Sequence, residues 1–209
     1  NNDMFLQPDA LREVLALRAS DVFAVASQIH LADPLARRVE TGLTACRSFG
    51  AGTELFDAEP GDCATVREHL YAGGGSSLFR TQPLQHYAAQ TTSYEPVYWE
   101  DVEWGLRAWR EGWRVLFCPT SQATHLHRAT VATLFSPAEI DRLFERNRRW
   151  FDLRNAQGTR GAMDVNLYHL SVDPQTSRET SSWKFALAFF RARLRAPTGA
   201  IPQRWFLES

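Results

Sequence analysis

The sequence predicts a mixed α/β domain. Two apolar runs, Asp21 to Ile29 and Trp113 to Cys118, have the length and composition of buried strands. Apolar residues recur at helical spacing in three other stretches, Pro8 to Ala19, Asp101 to Glu111 and Pro137 to Leu153. The chain of 209 residues is long enough for one domain with a real core, or a domain with a tail. A net charge of −1 gives no electrostatic footprint for nucleic acid.

In the first helical stretch Pro8 is tolerated in the opening turn, and Leu11, Val14, Leu15 and Arg18 keep the period. Leu31 to Asp62 carries Gly42, Gly50, Gly52, Pro60 and Gly61 and reads as a long loop with one strand near Glu54 to Phe56. From His69 to Arg80 a strand, the triple glycine Gly73-Gly74-Gly75 and a second strand follow; from the residues alone the glycines mark a tight turn or bulge. No GxGxxG and no following Lys-Ser/Thr make them a phosphate loop. Pro83 to Ala89 is a short helix, and Thr91 to Pro96 a loop leading to Tyr98.

Glu100 and Asp101 open the next helix, whose apolar face is Val102, Leu106 and Trp109. Asp101 is placed to cap free N–H groups of the first turn. Gly112 suits the left-handed position after the helix end. Pro119 cannot donate a ladder hydrogen bond and is expected to end the strand that follows. Two histidines, His125 and His127, come next. The order carboxylates, helix, strand, histidines lets helix start and strand end share one cleft.

This block resembles the family 2 glycosyltransferases, nucleotide-sugar enzymes of the GT-A fold. The resemblance rests on Glu100-Asp101, Arg107, Gly112-Trp113, Pro119 and His125. The stretches YAGGGSSLFRT and ERNRRWFDLRN, and the opening Asn1-Asn2-Asp3, are similar to the family as well. It covers roughly the first three quarters of the chain. Residues 1–160 are therefore read as a GT-A-like domain and 161–209 as a tail with an amphipathic helix over Ser182 to Ala196.

The resemblance implies transfer of a sugar from a nucleotide diphosphate to an acceptor hydroxyl, with inversion, in bacterial polysaccharide synthesis. Asp101 becomes the general base and Glu100 orients hydroxyls. The bland reading of an isolated Glu-Asp is a pair of capping carboxylates. The helix dipole would keep Asp101 charged and make it a weak base. Gly73, Gly74 and Gly75 come to lie beside donor and acceptor, Trp99 rather than Trp104 stacks on the acceptor, and Arg107 and Arg149 contact substrate. A divalent cation, magnesium or manganese, falls to Asp3 and His125; Asn1 replaces the first Asp of the usual Asp-x-Asp, and His127 is the competing ligand. Two alternating histidines also suggest zinc, but Cys46, Cys63 and Cys118 are not spaced to complete a zinc site.

In the last helical stretch Ser136 is the cap and Ile140, Leu143, Phe144 and Phe151 are apolar. Arg142, Arg146, Arg148, Arg149 and Arg154 read as a solvated face or as contacts to a diphosphate or anionic acceptor. Arg146 to Trp150 lacks the Gln of the Gln-x-x-Arg-Trp motif of processive relatives. The family also places a nucleotide-binding half before the Asn-Asn-Asp triplet, so the chain is expected to be a fragment that binds nucleotide sugars weakly and self-associates. Free thiols and the lack of a signal peptide or membrane span point to the cytoplasm, with peripheral contact at the inner face of the membrane. The partners are a nucleotide sugar and a carbohydrate or lipid-linked acceptor. Two other readings are a non-catalytic carbohydrate-binding or scaffolding remnant and a metal-dependent hydrolase.

Overall fold

A computed structural model describes residues 3–32, 43–49, 52–57, 64–126 and 131–155. The expected boundary at 160 and the amphipathic tail, Asn1 and His127 lie outside the described residues.

The centre of the fold is a parallel pair. Strand β2 (Val22–Leu31) runs beside β7 (Arg114–His125). Antiparallel strands complete the sheet: β1 (Met4–Leu6) and β5 (Arg67–Glu68) on β7, and β6 (Ser77–Phe79) on β2. A separate hairpin, β3 (Thr44–Phe49) with β4 (Gly52–Asp57), stands where one strand in a long loop was expected. Neither hairpin strand carries a long apolar run, so their pairing is set by cross-strand partners, from Thr44 opposite Asp57 to Phe49 opposite Gly52.

Helices flank the sheet: α1 (Ala10–Ala16), α2 (Thr81–Ala88), α3 (Glu100–Arg110), α4 (Val131–Leu134) and α5 (Pro137–Asn155). α1 is shorter than the expected Pro8 to Ala19, and its buried residues are only Ala10 and Val14. Ser136 does cap α5: the Glu139 amide donates to Ser136 Oγ at 3.4 Å while Glu139 Oε2 accepts from the Ser136 amide at 2.8 Å, a reciprocal capping box.

Pro119 does not end β7. The register passes from Ser27 opposite Cys118 to Gln28 opposite Gln122, so 119–121 bulge out of the ladder where no N–H is required. The bulge is pinned by Ser121, whose hydroxyl donates to the Ala10 carbonyl at 2.9 Å and accepts from Ser27 Oγ at 2.7 Å. The strand resumes and carries the chain on to His125.

Gly112, at φ +84°, makes the expected left-handed turn and sends β7 back along α3. Helix start and strand end therefore lie toward one end of the sheet, where the parallel strands finish, the usual position for ligands in open α/β sheets. Phe23, Tyr87, Ala108 and Val115 fill the core between α2, α3 and the sheet. A second cluster of Tyr94, Trp99, Val102, Leu106, Trp150 and Phe151 joins α3 to α5.

Candidate active site

Gly105 determines how close α3 comes to the glycine segment. A Cβ there would sit 2.5 Å from Tyr71 Cβ and 2.7 Å from the Leu70 carbonyl oxygen, which no side chain tolerates. Asp101 is one turn earlier on the same face, so the contact continues onto the glycines. The Gly74 amide donates to Asp101 Oδ2 at 3.3 Å, and the Val102 amide to Oδ1 at 2.9 Å. Gly73 and Gly74 are not needed for a positive φ; what they omit is a side chain, since a Cβ on Gly73 would lie 3.9 Å from Asp101 Oδ2. Gly74 and Gly75 do lie in a turn, as the residues alone suggested, and that turn presents the Gly74 amide to the Asp101 carboxylate.

The approach to the pair is strained. Tyr98 and Trp99 hold φ of +73° and +78°, a region bulky residues rarely occupy. Trp99 is the N-cap position of α3 and makes no side-chain cap bond; Asp101, inside the first turn, takes up one of its free N–H groups, that of Val102. Burial pushes both carboxyl groups up. For Glu100 burial comes first and the neighbouring Asp101 charge second, together moving it from 4.5 to about 7. Asp101 is also raised by burial, against the opposing bonds from Val102 and Gly74. The weak base expected from the helix dipole is thus corrected: desolvation outweighs the dipole and the N–H bonds. Glu100 Oε2 is fully buried with no hydrogen-bond partner. Glu100 also lines a cavity of about 240 Å³ with Thr91, Tyr94, Pro96 and Trp104.

Asp3 and His125, 122 positions apart in the chain, are brought together because β1 pairs with the end of β7, Met4 opposite His125. Asp3 Oδ1 lies 3.6 Å from His125 Nε2, and that oxygen is buried without a hydrogen bond. Two ligands of one divalent ion, each about 2.0–2.2 Å from it, stand roughly 3 Å apart, so this pair fits a cation after a small closure. Among the described residues there is no cluster of three or more His, Cys, Asp and Glu. Magnesium and manganese sites of two protein ligands are completed by water and substrate phosphates, and that is the donor set this corner provides.

Three other expected contacts go elsewhere. Trp99 is 2% exposed and packs its ring on Phe144 and Phe151, so no face is left for a sugar. Arg107 is 1% exposed, with Nε 2.8 Å from Glu103 and Nη1 on Gln90 Oε1. Arg149 is buried at 3%. The basic run on α5 is not one solvated face: Arg142 is exposed, whereas Arg149 and Arg154 are buried in the domain. Charge alone misled here: an arginine is as readily taken up by a buried Glu103 as by a diphosphate.

One residue escaped the sequence reading. Asn147 is fully buried and its side-chain amide donates to the carbonyls of Tyr94, Val97 and Tyr98 at 2.7, 2.7 and 3.0 Å. The only signal was its place within a basic helix beside Trp150.

No family model and no curated protein matches the sequence. Solved structures do match. Among them is the crystal structure of GalNAc-T7 with UDP, GalNAc and Mn2+, at 12% identity and a TM-score of 0.54 over 90% of this chain. The fold is thus that of the GT-A glycosyltransferases. The aligned region is 36% of that protein's chain, so the likeness is to a part of it. No helix among the described residues is long and apolar enough to cross a membrane.

Proposed function

We propose that this chain is the metal- and acceptor-side portion of an inverting family 2 glycosyltransferase. The observation that carries the reading is the Glu100–Asp101 pair, partly buried, with no cation paired to it among the described residues, set against the glycine turn on this fold. The acceptor hydroxyl gives its proton to the Asp101 carboxylate as its oxygen bonds the anomeric carbon. The bond from that carbon to the donor phosphate breaks, and its electrons leave with the nucleotide diphosphate. Burial raises the Asp101 carboxyl above its ordinary value, which makes it a stronger base than an exposed aspartate. Glu100 orients the hydroxyl. Asp3 and His125 hold the divalent ion, which when bound neutralises charge building on the leaving diphosphate. The UDP and Mn2+ of the GalNAc-T7 structure support a nucleotide sugar and a cation of that kind. A cytoplasmic location at the inner membrane face, with a carbohydrate or lipid-linked acceptor, belongs to the same proposal.

The alternative, a carbohydrate-binding remnant, draws on the burial of Trp99, Arg107 and Arg149, which removes three contacts expected of a catalytic cleft. One experiment decides. In the full-length protein with Mn2+ and UDP-sugars, transfer to an acceptor is measured beside metal binding by calorimetry. Transfer that needs Mn2+, with His125→Ala and Asp3→Asn each weakening Mn2+ binding about tenfold or more (1.4 kcal/mol), is the expected result. Sugar binding without transfer under all donors supports the remnant.

A further inference from the structure

The carboxylate pair is held from outside its own helix. Between α2 and α3 the chain passes from Gln90 to Trp99 with only a 3-10 turn (Thr92–Tyr94) of regular structure. A stripe of donors on α5 takes up the polar groups of this segment. Arg146 Nη2 donates to the Glu95 carbonyl at 2.5 Å, Trp150 Nε1 to Ser93 Oγ at 2.5 Å and Arg154 Nη1 to the Gln90 carbonyl at 3.1 Å. Asn147, Trp150 and Arg154 follow one another at spacings of three and four, so they share a helix face.

Asn147 is the centre of this stripe. Three carbonyls surround its side chain on one side, and carbonyls only accept, so the NH2 group must face them. Its own Oδ1 accepts from Arg146 Nε at 2.9 Å, which fixes the amide the same way round. Two hydrogens serve three oxygens, one of them shared. The last carbonyl held is that of Tyr98, the first of the two left-handed residues that lead directly into Glu100. A bulky residue at positive φ persists only where its surroundings impose it, and this part-buried bond reaches that peptide from α5.

We infer that Asn147 is a positioning residue for the Glu100–Asp101 pair: its amide holds the Tyr94–Tyr98 backbone, imposes the left-handed turn at Tyr98-Trp99, and so sets where the two carboxylates stand. The inference rests on the proposed glycosyltransferase reading only for its catalytic consequence; the mechanical part stands by itself. It also assigns a task to the basic helix that the sequence reading gave to solvent or a diphosphate. A loosened turn lets water reach Glu100, whose elevation depends on burial and on the adjacent Asp101 charge.

The test uses the whole chain with carbon-13-labelled glutamate and follows the Glu100 carboxyl by NMR as pH is varied. In the parent protein the midpoint is expected at about 7, raised by burial and by the Asp101 charge. Asn147→Ala moves that midpoint toward 4.5 by about one unit or more. Asn147→Ser, which keeps one donor, moves it less and serves if the alanine variant does not fold. Ile140→Ala is the control: Ile140 is buried on the same helix, so the variant loses stability, but it leaves the amide clamp intact and the midpoint stays. An unchanged Glu100 midpoint in a folded Asn147 variant that is destabilised as Ile140→Ala is would overturn the inference. In the transfer assay, Asn147→Ala lowers kcat roughly 10–100-fold with donor KM little changed. A midpoint that moves in a protein that transfers no sugar leaves the clamp standing and removes the glycosyltransferase reading. A midpoint that stays in a protein that does transfer sugar does the reverse.

Discussion

Glu100 and Glu103 are one turn apart on α3, and the same helix gives them opposite chemistry. Glu103 is fully buried and receives Arg107 Nε at 2.8 Å, Arg154 Nη2 at 3.4 Å, the Tyr94 hydroxyl at 3.1 Å and Asn155 Nδ2 at 2.9 Å. Burial alone would raise its pKa, but the charges of Arg154 and Arg107 reverse that and the net shift is downward. Glu100 has burial and a like charge and no cation, and rises to about 7. Burial by itself therefore does not tell a structural carboxylate from a chemical one. The partners do: a fully paired carboxylate is committed to the fold, and an unpaired one keeps a proton to exchange near neutral pH.

The sharpest way to break this comparison is to neutralise one carboxylate at each end of the contrast. Asp101→Asn keeps size and shape but cannot take a proton. Turnover should fall by about 10²–10⁴, the usual worth of a positioned base, while the melting temperature at neutral pH holds or rises, since a buried charge is removed. Near-normal turnover would show that the pair has no catalytic part. Glu103→Gln should do the opposite. It leaves Arg107 and Arg154 buried without their counter-charge, at a cost of about 3–5 kcal/mol in urea unfolding. A variant as stable as the parent would mean that the network contributes little.

The pH dependence has opposite signs at the two sites. Glu103 has a lowered folded pKa, so its stabilisation is complete above 4.5 and is lost as pH falls through the folded value. Glu100 has a raised folded pKa, so the native state is favoured while both states hold the proton, and stability is lost as pH rises from 4.5 through about 7. Asp101, also raised, adds in the same direction. Glu100→Gln removes the charge that must be buried. The variant should be more stable than the parent at pH 8 by on the order of 1 kcal/mol, and equal to it near pH 4. Thermal unfolding of both across this range checks the sign, and an advantage at low pH instead would refute the assignment.

The smallest effect concerns the loop that faces Asp101. A Cβ on Gly74 meets nothing within 4 Å and the residue has no positive φ. Gly74→Ala should therefore be neutral or stabilising by about 0.4–1 kcal/mol, through a less flexible unfolded chain. A marked loss of stability would show that the turn at Gly74-Gly75 needs a glycine at this place.

Local signals in the sequence were enough for several elements. The continuous apolar run of Val22–Ile29 requires burial on both faces and gave β2. The helical period of Val102, Leu106 and Trp109, ended by Gly112, gave α3 and the turn into β7. Ser136 gave the start of α5. The placing of Asp3 with His125 came from a family resemblance, and the tertiary structure brings the two side chains together; the bond from Gly74 to Asp101 was read from neither residues nor resemblance. Pairing across the chain was not legible. Whether Pro119 ends a strand or sits in a bulge depends on how β2 lies beside it. Whether Trp99 meets a sugar or Phe151 depends on where α5 packs, whereas Arg107 and Glu103 pair within α3 itself, four residues apart. A side chain's type fixes what it can bind, but several partners satisfy an arginine or an indole equally well. Only the folded chain selects among them, by deciding which partners are within reach and which are excluded from water.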